Sequence, residues 1–465
     1  MSTTRRCFMQ GAAALGAVSY ALPFGEWANR LQAGETPRGS GFGPLRPAKD
    51  EATGLEILDL PEGFRYTTFS WTGDKLSDGG VTPGFHDGMA VIASNGDTVT
   101  LCRNHEEEGS GQAFGAVKSA YDKFGRGGCT NLVFNMKTGK LESSWTSLSG
   151  TVRNCAGGPT PWGTWLSCEE TLVEDGDKDA KVNGGKPMSF EKTHGWVFEV
   201  PAQGVSEARP IKGMGRFTHE AIAFDPATGI IYQTEDRKQA GFFRFIPVEK
   251  RNFHAGGKLQ MLKAKGTQNL VKGLKAGQTF EVSWVDIEEP EAPHADAKRS
   301  GDGCFHKGYS QQGAMFSGLE GCWHSQGTIY GFTAKSGGDS ASGQIWSYVP
   351  KQEILSLVYE SPSGVVLDMP DNITKSPRGG LVICEDGDSA PQQRLQCLTA
   401  EGALFPFAAN ALDLRKTPTR GFDQNYRGSE WAGATFSPDG KWLFANIQTP
   451  GLTVAITGPW RDGLI

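Results

Sequence analysis

The sequence predicts an all-β fold, a six-bladed β-propeller, from three observations. A two-part unit recurs six times: a polar residue opens one strand, a turn of Pro, Asp, Asn or Gly follows, and a second strand ends in further polar residues. The intervals between the opening residues Asp87, Cys155, Glu220, Glu320, Asn372 and Glu430 are 68, 65, 100, 52 and 58, which fits five short units and one carrying an insertion. A strand of the form Gly-(aromatic-rich)-Pro also recurs, ending at Pro201, Pro247 and Pro350, as the next strand of successive blades. A β-sandwich would share the alternating strands and Asp-Gly turns; the paired placement of polar residues favours the propeller.

The units follow in chain order. The first runs from His86-Asp87-Gly through Ser-Asn-Gly-Asp to Asn104-His105-Glu106, and the second from Asn154-Cys155 through Thr-Pro-Trp-Gly to Glu169-Glu170. The third opens at Thr218-His219-Glu220 and ends at Glu235-Asp236; the fourth opens at Leu319-Glu320 and ends at Thr333. The fifth joins Asp371-Asn372 to Glu385-Asp386, and the last joins Glu430 to Asn446-Ile-Gln448 across Ser-Pro-Asp-Gly. The insertion falls at about 249–310, a stretch of mixed charge expected to edge the mouth of the blades.

Composition agrees with short strands and tight turns: 63 of 465 residues are glycine, and the aromatic fraction of 10% is enough for a core. A formal charge of −6 gives no electrostatic footprint for nucleic acid or anionic membrane and suits a binder of cations. Residues 1–33 read as a twin-arginine export signal, with Arg5-Arg6 before the apolar run Gly11–Leu22 and a cleavage site near Ala33. An ordinary secretory signal or a short buried helix is the competing reading, and the run is too short to span a membrane. The mature chain, 34–465, is expected to be one domain, periplasmic or secreted, without a membrane anchor and monomeric. Its only partners would be the export machinery and a small substrate.

Of nine cysteines, eight follow the signal, and in an oxidising compartment some would pair, Cys304 with Cys322 for example. Cys168 and Cys384 lie in apolar runs and read as small buried hydrophobes. Cys155, in polar Arg-Asn-Cys-Ala-Gly-Gly, is placed to reach a metal.

In an antiparallel hairpin, the residue before the first strand and the residue after the second lie at the same end. Six copies therefore bring Asp87, Asn104, Glu106, Cys155, Glu169, Glu170, Glu220, Glu235, Glu320, Asp371, Asn372, Glu385 and Glu430 towards one mouth, with Asp386 beside Glu385. So many carboxylates resist shared burial, and bound multivalent cations resolve the conflict. Oxygen ligands suit Ca2+, and one thiolate among them points to a transition metal. Roughly a third of these acids are expected to cap turns or pair with arginines instead.

These residues resemble the PhoX alkaline phosphatases. The motifs are Arg-Asn-His-Glu, Asn-Cys-Ala-Gly-Gly-Pro-Thr-Pro-Trp-Gly-Thr-Trp-Leu-Ser-Cys-Glu-Glu, Gly-Arg-Phe-Thr-His-Glu-Ala, Pro-Asp-Asn-Ile and the terminal Phe-Ser-Pro-Asp-Gly-Lys-Trp-Leu-Phe-Ala-Asn-Ile-Gln-Thr-Pro-Gly, spread from about residue 80 to 455. The resemblance implies a six-bladed propeller, twin-arginine export and hydrolysis of phosphate monoesters at a site of Fe(III) and Ca2+. It implies Cys155 as the thiolate ligand and Glu220 with Glu169, Glu170 or both as bridging carboxylates. It further implies Glu320 as a carboxylate of the metal and phosphate site and Asn104 as a phosphate-contacting amide. The early acidic ligand falls among Glu106, Glu107 and Glu108, with Glu106 preferred, and Glu385 and Asp386 complete the set. The pattern departs at Gly318, where longer members carry an arginine, and a lysine upstream of the cysteine motif has no counterpart. Arg153 or Arg103 is then the candidate charge partner for phosphate, Arg153 preferred.

No Gly-x-Ser-x-Gly elbow or His-Glu-x-x-His helix is present, which argues against a serine hydrolase or a helix-borne zinc protease. Asp175-Gly-Asp177-Lys-Asp179 starts like a calcium loop but lacks its later glycine and glutamate, and reads as a solvated insertion. His194, His254, His294 and His306 read as surface residues, while His105 and His219 adjoin candidate ligands and either bind metal or support a ligand. Three functions compete: a phosphomonoesterase, a phosphodiesterase, phosphotriesterase or lactonase on the same scaffold, and a calcium-stabilised binding propeller without turnover. Cys155 argues against the last, because an oxygen-only calcium site has no use for a thiolate.

Overall fold

The computed structural model describes residues 41–115, 117–178, 188–292 and 303–465; the expected export signal and His294 lie outside them. The fold is all-β and propeller-like, with its strands in five hydrogen-bonded sheets. The six separate blades expected from the repeats are therefore not seen. The first sheet is the meander His86–Asn95, Thr98–His105, Gly127–Asn135 and Lys140–Thr151, and the second is Asn154–Pro159, Thr164–Glu169 and Val197–Pro201. A nine-stranded sheet then runs from His219–Phe224 at one edge to Trp323–Ser325 at the other.

The insertion explains the difference in count. It supplies the strands Gly257–Ala264 and Thr279–Asp286, and the second of these pairs antiparallel with Ile354–Glu360 (Phe280 opposite Leu355), fusing the third and fourth units edge to edge. Its described residues add one short α-helix, Cys304–Ser310, and a 3-10 turn, Phe253–Ala255. None of the described residues of 249–310 lines the mouth, contrary to expectation.

The fifth unit begins at Pro370–Lys375 and its sheet is extended outward by Leu58–Leu60 and Arg46–Ala48. The last, Trp431–Phe436, Leu443–Ile447 and Leu452–Thr457, takes its outer strand from the other end of the chain: Arg65–Phe69 pairs with Leu452–Thr457, Phe69 opposite Thr453. A strand from early in the chain thus completes the last sheet.

The opening strands pack on one another cyclically: His86–Asn95 on Asn154–Pro159, then His219–Phe224, Trp323–Ser325, Pro370–Lys375, Trp431–Phe436 and back to His86–Asn95. Because neighbours cover both faces, strands such as Leu381–Glu385 and Leu443–Ile447 are buried at every position and read as continuous apolar runs. The core also lies between sheets, as where Phe134 meets Phe444 edge-on with centroids 5.1 Å apart. At the axis the backbones touch. A Cβ on Gly88 would lie 2.5 Å from Ala156 Cα, and one on Gly433, at φ +61°, would lie 2.6 Å from Asp87 O. Glycine is required there by space, and the close approach floors the channel.

All eight described cysteines are free and buried. Cys304 and Cys322 sit in different core clusters, so the pairing offered for them is not formed.

Candidate metal and substrate site

Strand bulges aim the side chains. Register shifts fall between His86 and Met89, Asn154 and Gly157, His219 and Ile222, and Pro370 and Ile373, bracketing Asp87, Cys155, Glu220 and Asp371. A bulge bends its strand and re-aims the extra side chain, here inward at the same level of each unit. In the fourth unit the ladder continues above Trp323, with Glu320 N donating to Thr333 O (2.9 Å) and Thr333 N to Gly321 O (3.2 Å).

The result is a mouth of about 460 Å3, lined by eight carboxylates (Glu106, Glu107, Glu108, Glu170, Glu320, Asp371, Asp386, Glu430) against three cations (Arg126, Arg153, Lys335). Asp87 and Glu220 are buried against this lining. Four overlapping triads each bring their ligand atoms within 4.8 Å of one another: Asp87, Glu106 and Cys155; Cys155, Glu170 and Glu220; Glu220, Glu320 and Asp371; Asp371, Asp386 and Glu430. Cys155, Glu220 and Asp371 are each shared by two triads.

Burial, and then the neighbouring acids, push Asp87, Glu220 and Glu430 well above the usual carboxylate range. Burial also raises Glu170 and Glu320, against the opposing pull of Arg153 and Lys335. Burial raises Asp371 to about 7 and drives the Cys155 thiol up as well. Glu220 Oε2 is fully buried with no hydrogen-bond partner, although it lies at the centre of the cluster. An orphaned carboxylate oxygen beside a thiol is costly without a ligand, and a multivalent cation would satisfy both. The donor set therefore fits metal ions: a thiolate in two triads suits a transition metal, and the oxygen-only triad of Asp371, Asp386 and Glu430 suits a hard cation.

Amides and cations frame the acids. Asn372 Nδ2 donates to Asp371 Oδ1 (2.7 Å) and reaches Glu220 Oε1 (3.4 Å), and Gln448 Nε2 bridges Asp87, Glu106 and Glu430. Arg153 spans Glu106 (2.9 Å), Glu108 (3.2 Å) and Glu170 (3.2 Å). Opposite, Lys335 Nζ lies 2.8 Å from Glu320, 3.5 Å from Asp236 and 3.6 Å from Asp386.

Of the residues selected from sequence, Glu106, Cys155, Glu170, Glu220, Glu320, Asp386 and Arg153 meet at this mouth. Three do not. Glu169 turns away and accepts from Val152 N, Gly195 N, Trp196 N and His194 Nδ1 (2.6 Å), a filled buried shell. Glu385 is held by Arg394, Asp368 N and Gln396. Asn104 lies behind Cys155: its amide donates to Cys155 O (3.1 Å) and Ala156 O (2.7 Å), while its oxygen accepts from Trp165 Nε1 and Ser167 Oγ (both 2.9 Å) and Cys129 Sγ (3.0 Å). No polar atom of Asn104 is left for phosphate. Arg103 is also buried elsewhere, bonded to Ser70, Thr130 and Thr453.

His194 is fully buried, not a surface residue, and His254 and His306 are half-buried. His105 contacts Gly84 O and Thr130, and His219 contacts Gly215 O, so both support strands near the site. Lys335 and Arg126 were missed. Lys335 closes the second strand of the fourth unit, the slot where other copies end in acids, which is the signal that marks it.

The fold and site together define a propeller-like protein with a cysteine-bearing acidic cation cradle at one mouth. A family model described as alkaline phosphatase PhoX matches residues 40–142 and 126–451. The chain belongs to the PhoX alkaline phosphatase family, a family of phosphatases. Among solved structures, it is similar to Pseudomonas fluorescens PhoX in complex with vanadate, a transition state analogue, at 17% identity and TM-score 0.59, covering 89% of this chain and 98% of that one. It also matches a gluconolactonase from Xanthomonas campestris at 12% identity and TM-score 0.38, covering 91% and 99%. A search of curated proteins by sequence found no match.

Proposed function

We propose that this phosphatase is exported by the twin-arginine route and hydrolyses phosphate monoesters as a soluble monomer, at Fe(III) and Ca2+ held in the mouth. The observation that carries this reading is the chain of four triads sharing Cys155, Glu220 and Asp371. Asp87, Glu106, Cys155, Glu170 and Glu220 would hold the iron, with Glu320 joining Glu220 and Asp371, and Asp371, Asp386 and Glu430 would hold calcium. Once bound, such ions neutralise the phosphoryl charge and orient the attacking water.

The protein's own groups perform the rest. Arg153 and Lys335 flank the acids from two sides and draw the ester dianion in. Water forms a bond to phosphorus, the ester P–O bond breaks, and one water proton goes to the departing oxygen, leaving alcohol and phosphate. In this reading Asn104 acts as a positioning residue for the Cys155 backbone. The arginine absent at Gly318 is replaced from another strand: a Cβ at Gly318 would meet Lys335 Cγ at 3.1 Å, so glycine leaves room for the lysine stem. Among the described residues no helix is long and apolar enough to cross a membrane.

Metal analysis with hydrolysis of mono-, di- and triesters before and after chelation tests the reading. Chelator-sensitive hydrolysis of monoesters supports it; preference for diesters, triesters or lactones, or metal without turnover, selects one of its competitors.

A further inference from the structure

Phe85 stands apart from every other residue at the mouth. Among the described residues lining it, Phe85 is the sole aromatic, the rest being acids, cations, Cys155 and Gln448. The residue is 44% exposed, beside groups that are deeply buried. An isolated exposed phenylalanine is ordinary on a protein surface. This one also has φ +46°, the left-handed region, which a bulky side chain adopts only when its surroundings enforce it.

The enforcement is visible at each adjoining peptide. Gly84 N donates to Glu107 Oε1 (3.1 Å), and Gly84 O contacts His105 Nδ1 (2.9 Å). Phe85 O accepts from Glu106 N (2.8 Å), and His86 N donates to Gln448 O (3.3 Å). Glu106 and Gln448 are themselves part of the acidic cradle. The same contacts that build the cradle therefore fix the aromatic ring at its outer edge, where glycine would relieve the backbone.

We propose that Phe85 is the platform for the organic group of the substrate, and that the preferred phosphoesters carry an aromatic or similarly flat apolar leaving group. This rests on the phosphatase reading above. The ionic floor takes the phosphoryl end, so Phe85, the one aromatic side chain among the described lining residues, is placed to meet the other end of the ester. A volume of about 460 Å3 lies within the roughly 300–1,000 Å3 of sites that enclose a whole small molecule rather than an anion alone.

The test compares Phe85→Ala, Phe85→Gly and Phe85→Tyr with wild type in the metal-loaded protein. The substrates are phenyl phosphate and glycerol phosphate, and the binding probes are phenylphosphonate and methylphosphonate. Each variant is compared with wild type on the same ester, which cancels leaving-group reactivity. Phe85→Ala and Phe85→Gly are expected to lose about tenfold in kcat/KM on the aryl ester, mainly through KM, the scale of one aromatic contact. The glycerol ester should change less than about twofold and Phe85→Tyr should retain aryl preference. Equal losses on both esters, or none on the aryl ester, would overturn the proposal. Wild type that hydrolyses neither ester defeats the phosphatase reading itself; phenylphosphonate binding no tighter than methylphosphonate defeats the platform separately. Phe85→Gly, which relieves the backbone, guards against misfolding as the cause.

Discussion

Glu169 and Glu170 are adjacent in the chain, yet their carboxylates serve opposite sides of the strand. Glu169 lies in a closed pocket 2.6 Å from His194, and Glu170 faces the mouth 3.2 Å from Arg153. Their substitutions should separate stability from function. Glu169→Ala leaves His194 Nδ1 and three backbone donors unpaired and is expected to destabilise by about 3–5 kcal/mol, read from denaturant unfolding. Glu170→Gln should stay within about 1 kcal/mol of wild type while losing metal and hydrolysis. The reverse pattern would exchange their roles.

Glu220 predicts a gain. Its Oε2 is buried without a hydrogen-bond partner, which on the proposed reading is the position a metal ion would fill. Glu220→Gln is expected to raise metal-free stability by about 1–2 kcal/mol and to abolish the stabilisation that added metal gives wild type. Thermal unfolding with and without metal reads both effects.

Asn104 should act through the fold. Asn104→Ala strands Trp165 Nε1, Ser167 Oγ and two strand carbonyls and is expected to cost about 3 kcal/mol. Its residual activity should show lowered metal affinity rather than a raised KM for phosphoester. A raised KM with unchanged stability and metal content would restore Asn104 to direct substrate contact.

His194 sets a pH dependence. Burial opposes its charge, but Glu169 and Asp122 outweigh burial and hold its pKa up to about 9, above the ordinary 6.5. A folded-state value above the unfolded one means stability that is fully present below about pH 6.5 and lost as pH rises through about 9. Tyr121 and Phe190 meet the ring edge-on and bring no compensating charge. Unfolding midpoints of wild type should fall between pH 7 and pH 10, with that component missing in His194→Gln at fixed metal content.

The strand pattern was readable because turn residues and apolar runs are local signals: five of the six opening strands start within two residues of the expected position, and the fourth starts at Trp323, three residues past Glu320. Doubled acids were not resolved: Glu169 and Glu385 end their strands opposite Asn154 and Pro370, the next residues Glu170 and Asp386 lie just past the strand ends, and which of each pair turns inward depends on partners supplied by other strands. Lys335 escaped because its relevance depends on Glu320 and Asp236, brought to it by the fold. The insertion misled the blade count because its edge pairing with Ile354–Glu360 is non-local. His194 looked like a surface residue because its two acids come from separate strands and loops.

Cys155 carries the central claim, since its thiol joins two triads and distinguishes a transition-metal centre from a calcium cradle. The most direct measurement is metal content per chain, with phosphomonoester hydrolysis on the same samples, for wild type and Cys155→Ser. Wild type should contain iron and calcium and lose hydrolysis on chelation, and Cys155→Ser should fold, keep calcium and lose both iron and activity. Undiminished hydrolysis by iron-free wild type, or full iron and full activity in Cys155→Ser, would contradict it.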